Sequence, residues 1–224
     1  MSDINFKLTL QLATPFYCAS PLTLDGLLSA AVHHATGLMG EDTIPLIPLA
    51  TEQGIFKGSS LFCIRSYRHA AVGRIMSLRT EKDLSVELFK PNARGGRYGH
   101  VDQKRGDYKA NMTAYPGIDA REVYFWGVGD PDKAAQMIAD FIPGIGKRAT
   151  SGAGQITDVS WVETDEDYSW VLPSGLPARP LPIAVWNRLG GRSDQPVSTM
   201  PLAVRLPYWQ TPAEEAVFPL SLVA

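Results

Sequence analysis

The sequence predicts an α+β domain made of two strand–helix–strand units, followed by an irregular tail. Three observations predict it. Apolar residues alternate with polar ones near the N-terminus and again between residues 155 and 162, the period of strands. Two other segments space their apolar residues at the helical period. A glycine-rich run separates the second helical segment from the strand pattern that follows it.

The elements follow in order. Phe6, Leu8, Leu10 and Leu12 alternate with polar positions and mark a half-buried first strand, and Pro15 and Pro21 punctuate its exit. A helix is predicted over 24–36, because Leu24, Leu27, Leu28, Ala31 and Val32 share one face and Gly37 supplies a stop. Residues 44–54 read as a proline-containing loop. Residues 59–66 read as a strand, with 84–89 able to pair as another. Residues 91–117 are poor in apolar side chains and rich in Gly, Arg and Lys, which predicts an excursion from the core, a hairpin or a loop. Residues 122–128 form a continuous apolar strand pattern. A second helix is predicted over 130–142, with Asp130 as N-cap, Pro131 at the first helical position, and Ala134, Met137, Ile138 and Phe141 at helical spacing. This order is the βαββαβ order of a ferredoxin-like domain, the framework also used by RNA-recognition (RRM-like) modules. The domain is predicted to span 1–163, with a basic insertion at about 90–117. Residues 164–224 hold nine of the seventeen prolines and three of the five tryptophans. They are expected to form an irregular segment packed on the core or on a partner, since Trp170, Trp186 and Trp209 are too apolar for a free tail.

The glycine-rich run, 143–156, carries the most chemistry. Gly144, Gly146, Gly152 and Gly154 flank the Lys147–Arg148 pair and the Thr150–Ser151 pair. Charge, hydroxyl donors and outward-turned backbone N–H groups together suit a phosphate-rich ligand. The run follows a helix and leads into a strand, the reverse of a dinucleotide or Walker A loop, and it lacks the GxxxxGK[ST] pattern. A flexible connector is the plain alternative.

Charge is unevenly placed along a chain whose net charge is only −2. Residues 1–56 hold one base (Lys7) against five acids, residues 57–109 hold twelve bases against five acids, and residues 110–224 hold eight against thirteen. The segments therefore carry −4, +7 and −5. A concentrated positive segment within an acidic protein is the footprint of a nucleic-acid contact surface. Within it, Lys90, Arg94, Arg97, Lys104, Arg105 and Lys109 can grip phosphates, and the interleaved Tyr98 and Tyr108 can stack on bases or pack a hairpin. Arg65, Arg68, Arg74 and Arg79 can line the same channel or serve as salt-bridge partners.

No apolar run is long enough to span a bilayer, and the N-terminus lacks the basic-then-apolar pattern of an export signal, so a cytoplasmic protein is expected. Cys18 and Cys63 form no metal-binding spacing and are expected as buried free thiols. Asp165, Glu166 and Asp167 read as a solvated acidic turn. There is no GxSxG motif and no nucleophile motif around either cysteine, and no cofactor or metal is expected.

The stretch Gly144-Ile-Gly-Lys-Arg-Ala-Thr-Ser-Gly-Ala-Gly resembles the glycine-rich loop of the RAMP superfamily of CRISPR-associated RNA-binding proteins. Pro21-Leu-Thr-Leu-Asp-Gly-Leu-Leu is similar to that superfamily's lead into its first helix. Ile44-Pro-Leu-Ile-Pro-Leu-Ala, followed by Phe56-Lys-Gly-Ser-Ser-Leu-Phe, looks like its loop into the second strand. Length and the basic excursion are most like the CRISPR-associated protein 5 family, and the short, Trp/Pro-rich ending resembles the type IV version. The resemblance implies a non-catalytic RNA-binding subunit of an antiviral effector complex that caps the 5′ handle of a guide RNA (crRNA). It implies as partners a repeating backbone subunit, a large (Cas8-like) subunit, target DNA near the PAM, and a helicase.

On this reading Lys147, Arg148, Thr150 and Ser151, with the N–H groups of Gly146 and Gly152, seat RNA phosphates. A second reading is a metal-independent guide-RNA endonuclease of the same superfamily. His33 and His34 stand late in the first helix, where a processing relative could place a catalytic histidine, and His100 lies among basic residues; His69 is the fourth histidine. Adjacent helical positions face about 100° apart, so at most one of His33 and His34 can reach a shared site. A third reading is a ferredoxin-like domain whose glycine loop holds a nucleotide.

Overall fold

The computed structural model describes residues 3–18, 21–63, 67–76, 104–105, 108–190 and 197–219. They give a mixed α/β protein with antiparallel sheets. The chain divides into two compact units, one of residues 1–69 and 118–224 and the other of residues 70–117.

The first unit is organised by strand β1 (Ile4–Leu12). Its alternating sequence sends Phe6, Leu8, Leu10 and Leu12 to one face, where all four are buried. Helix α1 (Leu24–Thr36) follows. Thr23 caps it by accepting a hydrogen bond from the Gly26 N–H at 3.4 Å. Gly37 ends it in a left-handed conformation, φ 77°, donating its N–H to the His33 carbonyl. Residues 40–46, whose last three fall in the loop expected at 44–54, form a 3-10 helix whose single buried hydroxyl, on Thr43, bonds Ser29 of α1 at 2.9 Å. The short strands β2 (Thr51–Glu52) and β3 (Ile55–Phe56) form a hairpin.

Within the strand expected at 59–66, Phe62–Cys63 form strand β4 and Ser60 makes an isolated bridge to Thr23, while residues 64–66 lie outside the described residues. Next come β5 (Arg68–Met76) and β6 (Asn111–Asp119), which make a two-stranded sheet. Most of that sheet belongs to the unit of residues 70–117. The strand expected at 84–89 lies outside the described residues.

Strand β7 (Glu122–Gly129) is the apolar strand expected at 122–128. Helix α2 (Pro131–Phe141) begins as its sequence dictates: the Asp130 carboxylate accepts the Lys133 N–H at 3.0 Å, and Pro131 occupies the first turn. After the glycine run, β8 (Ile156–Glu163) closes the sheet. The order across the sheet is β4-β7-β1-β8, every neighbour antiparallel. Both helices pack on the face that carries Phe6, Leu8 and Leu10, where the main core lies.

The C-terminal segment, expected to be irregular, contains a three-stranded antiparallel sheet, β10-β11-β9, and a short helix. Its elements are β9 (Leu181–Pro182), α3 (Ile183–Arg188), β10 (Ser198–Leu202) and β11 (Glu214–Phe218). Proline density misled the expectation for a definite reason. Pro182 and Pro201 both sit in edge strands, where a missing N–H costs little, while the central β11 has no proline. Trp170 and Trp186 are buried with Ile55, Leu181 and Val217 in a second core, whereas Trp209 is exposed.

A buried charged centre ties this segment to α1. The fully buried Arg179 donates to Asp25 at 3.3 Å, to Tyr208 Oη at 3.0 Å and to the carbonyls of Phe56 and Gly58 at 2.6 and 3.0 Å. Tyr208 Oη in turn donates to Asp25 at 2.7 Å. Burial opposes the Arg179 charge, but Asp25 and Tyr208 outweigh it and raise its pKa. Burial, reinforced by Asp25, pushes the Tyr208 hydroxyl well above its ordinary range.

Candidate nucleic-acid interface

The glycine run is folded against the β1–α1 connection by its own backbone. Lys147 N–H donates to Tyr17 O at 2.7 Å, Gly154 N–H to Pro15 O at 2.9 Å, and Ile145 N–H to Gly154 O at 3.0 Å. Thr14 Oγ1 donates to Gly152 O at 2.7 Å. Residues 149–151 make one 3-10 turn, and Arg148 before them holds a left-handed conformation at φ 65°. A non-glycine residue there carries strain of about 1 kcal/mol, which marks a position held by its surroundings.

Close packing explains most of the glycines. A Cβ on Gly146 would run into the Tyr17 carbonyl, one on Gly154 into the Ile145 carbonyl, and one on Gly144 would stand 2.8 Å from Ala153 O. Gly152 alone has open space around it, and its φ of 85° accounts for its being glycine. Its N–H, expected to face a phosphate, donates instead to Ala149 O at 3.0 Å. The tight turn back to Ala149 consumes that donor. The loop therefore offers side chains more than a cradle of backbone N–H groups.

Those side chains border a cleft of about 630 Å³ between the loop, α1 and the end of α2. Tyr17, Leu22, Leu27, Ala30, Phe141 and Ile142 give it apolar walls, while Lys147, Thr150 and His34 bring polar groups. Gly144 and Gly146 line it as well. Lys147, Thr150 and Ser151 are exposed and Arg148 is half-buried. A cleft of this size with apolar walls and a lysine on its rim has the dimensions and chemistry to take a nucleotide, its base in the hollow and its phosphate toward Lys147.

The histidines separate as the helix geometry requires. His34 lines this cleft. His33 faces a different groove and its Nδ1 lies 2.9 Å from Leu38 O. His69 stacks edge-on with Tyr67, ring centroids 5.4 Å apart.

The basic segment is described only in part. Lys104, Arg105 and Lys109 are exposed, and Tyr108 is half-buried. Lys90, Arg94, Arg97, Tyr98 and His100 lie outside the described residues, as do Arg65 and Arg79. Arg68 forms a salt bridge with Asp119 at 2.8 Å. The acidic turn is partly engaged: Asp167 pairs with Lys57 at 3.0 Å and accepts from Ser169 Oγ at 2.6 Å. Burial alone would raise the Asp167 pKa, but the Ser169 hydrogen bonds and Lys57 outweigh it and lower it. Cys63 is buried, and burial pushes its thiol up to about 11, so it is a poor nucleophile near neutral pH.

Sequence reasoning missed the far face of the main sheet. Lys7 stands 4.1 Å over the Tyr124 ring and 5.4 Å from that of Trp126. Burial lowers the Lys7 pKa, and Glu122 offsets this in part. Period two would have revealed this group, since Lys7 is an outward position of β1, and Tyr124 and Trp126 share one face of β7. RNA-recognition modules use this face as a stacking platform. Here Leu172 and Ala178 pack on Phe62 and Tyr124, and the Tyr168 ring sits 5.1 Å from that of Trp126. The C-terminal segment thus covers the aromatic half of the face.

Residues 5–218 match the family model of a CRISPR-associated protein of type IV. The chain belongs to that family, the CRISPR type IV associated protein Csf3. The resemblance to a type IV CRISPR-associated protein is thereby borne out. No curated protein matches the chain. Among solved structures it is similar to a chain of a cryo-EM structure of the Type III-B Cmr-beta bound to cognate target RNA, at 7% identity and a TM-score of 0.42. That match covers 72% of this chain, which spans only 61% of the other. No helix among the described residues is long and apolar enough to cross a membrane.

Proposed function

We propose that this chain is a non-catalytic guide-RNA-binding subunit of a type IV CRISPR effector complex, seating the 5′ handle of the RNA in the cleft beside the glycine loop. The observation that carries this reading is the shared cleft: the loop places Lys147 and Thr150 on the rim of an apolar hollow walled by α1 and α2. Membership of a type IV CRISPR family supplies the context in which a guide RNA is the expected ligand. The strand order β4-β7-β1-β8, with α1 and α2 on one face, supports reading the main sheet as ferredoxin-like. Covering of the aromatic sheet face by residues 168–178 supports the loop, rather than the sheet, as the seat of RNA. In this reading residues 57–109 grip RNA backbone or target DNA near the PAM, and backbone and large subunits dock on the remaining surfaces.

The test is guide-RNA binding by fluorescence anisotropy across salt concentrations. Wild-type affinity is expected to fall steeply with salt. The Lys147→Ala/Arg148→Ala variant is expected to bind more weakly at low salt and to lose about 1.4 from the log–log slope, at roughly 0.7 per single-strand phosphate contact. Equal affinity and equal slope would remove the loop as the RNA seat.

One observation favours a second reading, a metal-independent endoribonuclease: His34 lines the same cleft as Lys147. Specific cleavage of repeat RNA in EDTA, lost in His34→Ala, would establish it; intact RNA with the wild-type protein rejects it.

A further inference from the structure

A second groove lies on the other side of α1. It has a volume of about 220 Å³ and is walled by α1, the 3-10 helix of residues 40–46 and the segment around Tyr208. His33, Met39, Leu206 and Trp209 line it. At its lip Met39 and Trp209 are 65% and 66% exposed, and Leu38 beside Met39 is exposed as well. Two large apolar side chains held mostly in water around one hollow form a contact surface, unlike scattered surface apolar residues. Trp and Met are also the types enriched at the centres of protein interfaces.

The 3-10 wall of this groove carries only acidic charge, and on the opposite wall Arg205, beside Leu206, is paired with Glu214 while Arg179, behind Tyr208, is paired with Asp25. Between Lys7 and Lys57 the sequence contains no lysine or arginine. Glu41 and Asp42 stand on the exposed side of the 3-10 helix, and neither has a salt-bridge partner among the described residues. The other two carboxylates of that stretch are engaged, Asp25 with Arg179 and Glu52 with Lys57. A phosphate backbone would be repelled here, whereas a cationic polypeptide is attracted.

We propose that this groove is the docking site for a segment of another protein subunit, one that inserts a large apolar side chain between Met39 and Trp209 and sets lysine or arginine against Glu41 and Asp42. The proposal rests on the chain being a subunit of an effector complex, and it assigns a surface that the RNA-seating cleft does not use. Complementary charge fixes the orientation of the segment, and the apolar anchor supplies most of the affinity.

The experiment replaces Trp209 with the photocrosslinking residue p-benzoylphenylalanine in the full chain, assembled with the protein subunits of its effector complex and guide RNA. Irradiation is expected to join residue 209 to a lysine- or arginine-containing segment of another subunit, identified by mass spectrometry. Glu41→Lys/Asp42→Lys in the same chain is expected to reduce that product at least tenfold, with guide-RNA binding by the isolated chain unchanged. A cross-link to RNA, a cross-link to a second copy of this chain, or no protein cross-link in an assembled complex overturns the proposal. Failure of the RNA-seating reading would instead appear as lost or salt-independent RNA binding by the isolated chain, so the two outcomes are distinguishable.

Discussion

The two grooves flanking α1 share a helix and differ in almost everything else. The larger one is lined by Lys147 and Thr150 of a loop pinned by backbone hydrogen bonds, while the smaller is lined by Met39 and Trp209, with Glu41 and Asp42 exposed on the 3-10 helix that forms one of its walls. Gly26 and Ala30 line both, so small residues on α1 leave room on each side. Consecutive histidines divide between them, His34 to the basic groove and His33 to the acidic one. A single amphipathic helix can therefore present two chemistries, because residues one apart face about 100° away from each other. On the proposed reading, the difference in charge is what assigns phosphate to one groove and polypeptide to the other.

The largest effect should come from breaking what the grooves share. Arg179→Met leaves the Asp25 carboxylate buried without its cation, at a cost of about 3–5 kcal/mol. Asp25 sits on α1 and Tyr208 lines the acidic groove, so both sides should lose binding together. Urea denaturation reads the stability, and a double change that also removes the Asp25 charge should recover part of it.

Glycine substitutions should instead separate the two sides. Gly146→Ala and Gly154→Ala each push a methyl group into a backbone carbonyl at positive φ, and should cost more than about 2 kcal/mol or displace the loop. RNA affinity should fall with them. Gly152→Ala meets open space and pays only for its φ, about 1 kcal/mol, with RNA affinity nearly kept. Comparing anisotropy and thermal melts across the three variants checks the ranking.

The smallest effect concerns the Lys57–Asp167 pair, which joins the first unit's hairpin region to the C-terminal segment. The folded-state pKa of Asp167 lies below its ordinary value. Its contribution is therefore fully present above the ordinary value, about 3.9, and is lost as pH falls through the lower folded-state value. The stability gap between wild type and Asp167→Asn should be modest at neutral pH, since the pair is partly exposed, and should shrink below about pH 3.9.

Much of this organisation was legible in local sequence. The alternation of β1, the Gly37 end of α1, the Asp130–Pro131 start of α2 and the place of the glycine run all follow from residues within a few positions of each other. The parts that were not legible depend on distant partners. Arg179 is 154 residues from Asp25, and nothing near Arg179 in sequence marks it as buried. The C-terminal sheet was hidden because prolines at edge positions carry the same local signal as prolines in a loop. The glycines of the run were legible as backbone needs, but two different needs, close approach and phosphate contact, leave the same residue. Only the positions of the Tyr17 and Ile145 carbonyls distinguish them. The acidic groove was invisible because Met39 and Trp209 are 170 residues apart, and their common exposure is a property of the folded chain.

The most direct test of the central claim uses the two neighbouring histidines as reporters. With ¹³C-labelled histidine, the ring signals of His33 and His34 can be followed by NMR as guide RNA is added. The RNA-seating account predicts that the His34 signal moves in a saturable, salt-sensitive way, with His33 nearly stationary. A shift of His33 without His34, or no shift of either at saturating RNA, would contradict it.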